Sequence, residues 1–381
     1  MNTSKRSFIF LLTTLLVLSL ACSSVAELSA TATPLPTLTF TPAPPTSTPT
    51  PAGPVSTTDN PLVASVGDLK LSGLRYQHPN GLASFYPMEG WDIEETDYSV
   101  SMTHPETGVS YYISATNTGY MLEAESYENF RLIMEEIYTS QANYVEIDAG
   151  ANPGIQLYFV EKTYTGYDEE NYYVYSIYQQ FDNVIYTIEV SGKEAFVQAN
   201  PVNPYRIMFD SFTQTLEINS TIASEFPMYQ QSWVYTPDDN NVSLEIPWAW
   251  SYYPDSVDET LYYTYFYSPD NLAGVEFIRQ NTVKLTPELG LDFAVNYLNL
   301  LHSGEANDVK INIFGELQEL ETGLYLIDWQ SETSGEIGNM LFDIRTPNKL
   351  IMVVSLVADE ELLPIYANTL GIINDSYQLG Q

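Results

Sequence analysis

Three histidines, one cysteine and 49 carboxylates are the residues with which this 381-residue chain would have to do chemistry. A Ser-His-Asp relay needs a histidine base beside a hydroxyl. His78 and His104 each precede a proline in a turn-like stretch, and His302 closes a helical stretch, where a positive charge suits the dipole. All three positions fit structural roles. No G-x-S-x-G, H-E-x-x-H or glycine-rich phosphate loop accompanies them. Paired carboxylates serve glycoside hydrolysis, but a chain this acidic offers every spacing by chance. "YDEENYY" (167–173) and "DETLYYTYFY" (258–267, from Asp258) set acids beside tyrosines, and "TPDDNN" (236–241) offers oxygens of the kind calcium takes, without EF-hand spacing. Solvated loops account for them. No catalytic residue, metal ligand or cofactor is therefore assigned. Thirty tyrosines remain to be explained. Neighbours on a strand point to opposite faces, so Tyr172/Tyr173 and Tyr262/Tyr263 should each turn one ring outward, where tyrosine suits a glycan or protein partner.

The cysteine has a more specific setting. Lys5 and Arg6 precede an apolar stretch, "SFIFLLTTLLVLSLA" (7–21), shorter than the ~20 residues of a spanning helix and shaped like an export signal. It ends in "LSLAC" (18–22), which resembles the bacterial lipobox, with Ser19 standing where leucine is commonest. The resemblance implies cleavage before Cys22, lipidation of its sulfur (palmitate or a similar chain) and a new N-terminus there. Stable anchoring takes more than one acyl chain, and a lipoprotein N-terminus normally carries two or three. A rival site after Ser24-Val25-Ala26 would instead release the chain, and an uncleaved anchor is the third alternative. Cys22 is the lone cysteine, so no internal disulfide forms. The expectation is a signal peptide at 1–21 and a lipid-anchored protein on the outside of the cell membrane.

Charge narrows the partners further. Thirteen Lys+Arg against 49 Asp+Glu give −36, and loss of Lys5 and Arg6 with the signal takes it to −38. Such a field repels phosphate backbones, so nucleic acid is excluded as a partner.

Residues 22–66 form a Thr/Pro-rich segment ("TATPLPTLTFTPAPPTSTPTP" within it) that favours extended polyproline geometry, a disordered stalk. Beyond it the sequence repeats. "YQHPNGLASFYPMEGW" (76–91) and "YTPDDNNVSLEIPWAW" (235–250) both read as strand, turn, strand, Pro, Trp. A strand pair and a helix follow in each half. The helices are "SYENFRLIMEEIYTSQ" (126–141), apolar at Phe130, Ile133, Met134 and Ile137, and "TPELGLDFAVNYLNLLHS" (286–303), apolar at Leu289, Phe293, Tyr297, Leu300 and Leu301. Three strands and a closing helix complete each half, the helices ending in "MFDSF" and "INDSY" at an offset of 165 residues. One large mixed domain is the competing organisation.

The paired hairpins, the corner "FYPMEGW" or "EIPWAW", the following helix and the terminal "DSF" together resemble the PsbP-like fold. The resemblance implies an α+β architecture of two tandem α/β/α sandwiches, each an antiparallel sheet flanked by helices, at 67–220 and 228–379. The second corner departs by lacking the glycine. The function expected from all of this is a non-enzymatic binding or assembly module with an unknown protein or glycan partner. A carboxylate-based extracellular glycan hydrolase and a calcium-dependent adhesin are the alternatives.

Overall fold

The computed structural model describes residues 69–197, 203–237, 242–256, 261–281, 285–302, 311–332 and 334–380. The signal stretch, Cys22 and the Thr/Pro segment lie outside the described residues, as do residues 238–241 of the acidic turn and Asp258.

In the first half, β1 (Tyr76–Gln77) and β2 (Ala83–Phe85) flank the Pro-Asn-Gly turn, which closes through the Gly81 N–H on the His78 carbonyl with Gly81 at φ 72°. After the Pro-Trp corner come β3 (Asp92–Glu95), β4 (Ser99–Thr103), β5 (Ser110–Asn117) and helix α1 (Ala124–Thr139). Then follow β6 (Ala142–Asn152), β7 (Leu157–Thr165), β8 (Asn171–Phe181), β9 (Val184–Lys193), helix α2 (Pro204–Thr213) and β10 (Glu217–Ile218). The second half runs β11 (Ser232–Tyr235), β12 (Val242–Pro247), β13 (Ser251–Ser256), β14 (Leu261–Tyr267), β15 (Ala273–Asn281) and helix α3 (Pro287–His302). It ends with β16 (Ile311–Glu321), β17 (Leu324–Ser331), β18 (Ile337–Asp343), β19 (Lys349–Val357), helix α4 (Leu363–Asp375) and β20 (Gln378–Leu379).

The result is an antiparallel α+β fold. Two seven-stranded sheets have the orders β3-β4-β5-β9-β8-β7-β6 and β13-β14-β15-β19-β18-β17-β16, and two small sheets have the orders β1-β2-β10 and β11-β12-β20. The two halves therefore share strand order throughout. Each half holds more strands than the sequence pattern indicated: β3, β6, β10, β13, β16 and β20 are additional, and all six are sheet edges.

Central strands read as continuous apolar runs because both faces are covered. On β8 and β9, Tyr173, Tyr175, Tyr186, Ile188 and Val190 pack with Phe209 and Phe212 of α2, while Tyr178 and Ile185 turn the other way, into the cluster that holds Tyr127 and Phe130 of α1. That second cluster continues into the other half, taking in Tyr229, Trp250, Phe266, Phe277, Val353, Tyr366 and Ile373. A third core lies between the far face of the second sheet and α3.

Two helices sit differently from their apolar stripes. α1 buries Tyr127, Phe130, Arg131 and Glu135, leaving Ile137 half exposed. α3 buries Gly290, Ala294, Leu298 and His302, while Leu289, Phe293, Leu300 and Leu301 face outward. The small Gly290 explains the rotation: a Cβ there would meet Phe342 at 3.2 Å, so this face brings the helix closest to the sheet. The second corner also resolves. Gly90 takes φ 79° in the first, whereas the span from Pro247 to Trp250 is one residue shorter than from Pro87 to Trp91 and no left-handed residue occurs in it. Its missing glycine reflects a tighter turn.

Candidate functional site

The three histidines are structural supports in different places. His78 is buried, its Nε2 within hydrogen-bond reach of the Thr96 and Ser99 carbonyls and its Nδ1 accepting from the Asn80 N–H. His104 Nδ1 accepts from the N–H groups of Glu106 and Thr107, organising the β4–β5 turn. His302, the last residue of α3, lies between two carboxylates, with Nδ1 3.0 Å from Glu336 and Nε2 3.3 Å from Glu276. Ser331 and Ser334 donate to the His302 backbone carbonyl and leave its ring alone. Burial alone would lower the imidazole's pKa, but hydrogen bonds to both glutamates outweigh it and raise the value to about 9. The Trp329 ring lies against it, with centroids 4.9 Å apart.

A second buried ionic knot, absent from the sequence reading, sits under α1. The Lys162 ammonium is fully buried and donates to Glu135 at 2.6 and 2.7 Å and to Ser176 at 3.1 Å. Ser176 donates onward to Glu189, as does the Tyr138 hydroxyl, and the Tyr178 hydroxyl donates to Glu135 at 2.6 Å. The strands dictate this grouping. Ser176 pairs with Glu189 and with Val160, so alternate residues of β7, β8 and β9 put Lys162, Ser176 and Glu189 on one face. Burial pushes the Lys162 ammonium down, against the pull of Glu189 and Glu135, and pushes the Glu189 carboxyl up, against Lys162, Ser176 and Tyr138. In both halves, then, a buried basic side chain meets carboxylates where the corresponding helix packs on its sheet, supplied by β7 as Lys162 in the first and by α3 itself as His302 in the second.

Beside the first knot opens a cleft of about 540 Å³. One wall is Ile133, Glu136, Ile137 and Tyr138 of α1 with Tyr112, Tyr178 and Glu189 of the sheet below. The facing wall comes from the other half: Gln231, Trp233, Trp248, Trp250 and Tyr252. The tight Pro-Trp corner positions these rings. Its Trp248 N–H donates to the Gln231 carbonyl and its Trp250 N–H to Pro247, which leaves Trp248 44% exposed while Trp250 is buried. Trp250 Nε1 has no hydrogen-bond partner among the described residues. Three of the five tryptophans of the chain thus meet in one mostly apolar space whose volume suits a small ligand. The "PWAW" corner was visible in the sequence, but nothing local marked Trp233, Lys162 or Glu189 as its neighbours.

The tyrosine pairs divide. Tyr172 is half-buried, stacked on Tyr164 and bonded to Asp168, while Tyr173 is in the core, as alternation requires. Tyr262 and Tyr263 instead both pack half-buried, against different cores, because this sheet is covered on both faces. The exposed tyrosine of that neighbourhood is Tyr253 on edge strand β13, stacked on Tyr265 at 5.1 Å.

No family model matches the chain, and no curated protein matches its sequence. Solved structures similar to it include the cyanobacterial PsbP (CyanoP) of Synechocystis, at TM-score 0.32 and 11% identity, over 39% of this chain and 92% of that one. The Ran-binding protein Mog1p of Saccharomyces cerevisiae gives TM-score 0.32 and 6% identity over 40% and 99%. A Pseudomonas aeruginosa protein of unknown function gives 0.27 and 10% over 40% and 97%. Each likeness spans about two-fifths of the chain, at TM-scores too low to bear on what the chain does.

Proposed function

We propose that this chain is a non-enzymatic binding module, held by lipid at Cys22 on the outer side of a cell membrane. It displays two tandem PsbP-like sandwiches on a Thr/Pro stalk, and its glycan or protein partner seats in the cleft between α1 and the Pro-Trp corner. The observation that carries this reading is the cleft itself, where Trp233, Trp248 and Tyr252 gather at a mostly apolar space. Aromatic rings grouped at an accessible face supply contact area at little entropic cost. The hydrolase alternative is weaker, because the buried acid of the cleft is engaged: Glu189 accepts from Tyr138 and Ser176. A general acid needs a free proton facing its substrate.

Titration of the full chain with soluble glycans and peptides, followed by tryptophan emission, tests the cleft. Trp233→Ala and Trp248→Ala should each abolish the binding signal; a signal that survives both places the ligand elsewhere. The anchor is tested separately. Cys22→Ala should release the protein from the membrane and abolish labelling by a palmitate analogue, whereas an unmodified N-terminus at Glu27 would contradict lipidation.

A further inference from the structure

Three rings of the second half form a corner in the cleft wall. Trp233 lies 6.4 Å from Trp248 at 42° and 6.0 Å from Tyr252 at 88°. Rings set at such angles present faces in different directions. A flat sugar ring stacks on one of them, whereas a rounded group touches several at once. The charged side chains in the lining are Glu136 and Glu189, with no lysine, arginine or histidine among its described residues. The whole chain carries −36, and apolar walls focus a field of that sign onto a cleft. The lining offers hydrogen-bonding groups in Ser140, Thr187 and Gln231, while the Tyr138 hydroxyl is already committed to Glu189. A neutral sugar would draw on those polar groups, whereas a quaternary ammonium has no N–H to satisfy and needs none of them. Aromatic faces and a nearby carboxylate are what such a cation asks for.

We infer that the cleft takes a trimethylammonium-type head group, with Trp233, Trp248 and Tyr252 as the cage and Glu136 as the counter-charge. This rests on the reading above that the cleft is the ligand site. The volume of about 540 Å³ leaves room for a tail beyond the head group.

The test uses the full chain at low ionic strength, with choline and tetramethylammonium as probes. The control is 3,3-dimethyl-1-butanol, the uncharged carbon isostere of choline, and calorimetry and tryptophan emission are the readouts. Choline should bind about tenfold or more tightly than the isostere. Trp248→Ala, at a position exposed enough to leave folding intact, should weaken choline about tenfold, and Glu136→Gln several-fold with a flatter salt dependence. Choline binding no tighter than the isostere overturns the inference. Malto- or cello-oligosaccharides that bind through Trp248 where choline does not would overturn the cation and keep the cleft. Binding by none of these probes would overturn the inference and count against the cleft as well.

Discussion

Lys162 is a fully buried lysine whose charge is tolerated because Glu135, Ser176 and the face of Tyr138 enclose it. Desolvating an ion is expensive, and removing one member of a buried pair strands the other. Lys162→Met should therefore cost about 3–5 kcal/mol in urea unfolding, while the double variant Glu135→Leu/Lys162→Met should recover at least half of the loss. A single variant as stable as the parent would show that the knot is not an ion pair. His302 makes a different statement, about pH. Its folded pKa of about 9 lies above the 6.5 of the free side chain. Folding therefore gains stability from its protonated form that is fully present below about pH 6.5 and is lost as pH rises through about 9. The full effect amounts to about 3 kcal/mol. The melting temperature should fall across that window in the parent and fall less in His302→Gln. Parallel curves would remove the histidine as the cause.

Among the elements, β18 and β19 approach so closely that one position tolerates no side chain. A Cβ on Gly338 would sit 1.8 Å from the Ser355 carbonyl oxygen, which is backbone and cannot swing away. Gly338→Ala should cost about 3 kcal/mol or more in chemical denaturation, with loss of pairing in the second large sheet. A cost under about 1 kcal/mol would mean that the strands separate easily. The sequence revealed elements in proportion to their burial. β8 and β9, covered on both faces, were plain as tyrosine- and isoleucine-rich runs. β3 reads "DIEE" with every residue exposed, and β6 is mostly exposed and bulged, so neither alternates cleanly. Edge strands have a single neighbour and often carry charge and bulges, which erases the period on which recognition depends. The same limit hid the site. Periodicity put Ile133 and Ile137 on the apolar stripe of α1, and they line the cleft, while Glu135 points under the helix to a lysine 27 residues further along the chain. A helical period fixes where an apolar stripe lies but not which elements cover it.

At the scale of the molecule, the decisive feature is the core that both halves share. Tyr127 and Phe130 of α1 belong to the same apolar cluster as Tyr229, Trp250 and Tyr366. Polar ties reinforce it: the Tyr120 and Tyr366 hydroxyls both donate to Asp270, and the Asn129 side chain donates to the Pro269 carbonyl. The chain between the halves is pinned as well, with the Tyr229 N–H on the Asn117 carbonyl and the Gln230 side chain on Ala115. Apolar surface common to two halves stabilises neither of them alone, so they should unfold together. Calorimetry of the full chain should show one transition with equal calorimetric and van't Hoff enthalpies. Tyr229→Ala should lower that transition as a whole, by about 5 °C for a loss of roughly 3 kcal/mol. The fragment 228–381, which strips Tyr229 and Trp250 of α1, should melt well below the intact chain. Two resolved transitions, or a fragment as stable as the whole, would mean that the halves are independent and merely touch. The cleft would then be a gap of variable width, because its two walls come from different halves; a shared core fixes the distance between Ile137 on one wall and Trp248 on the other.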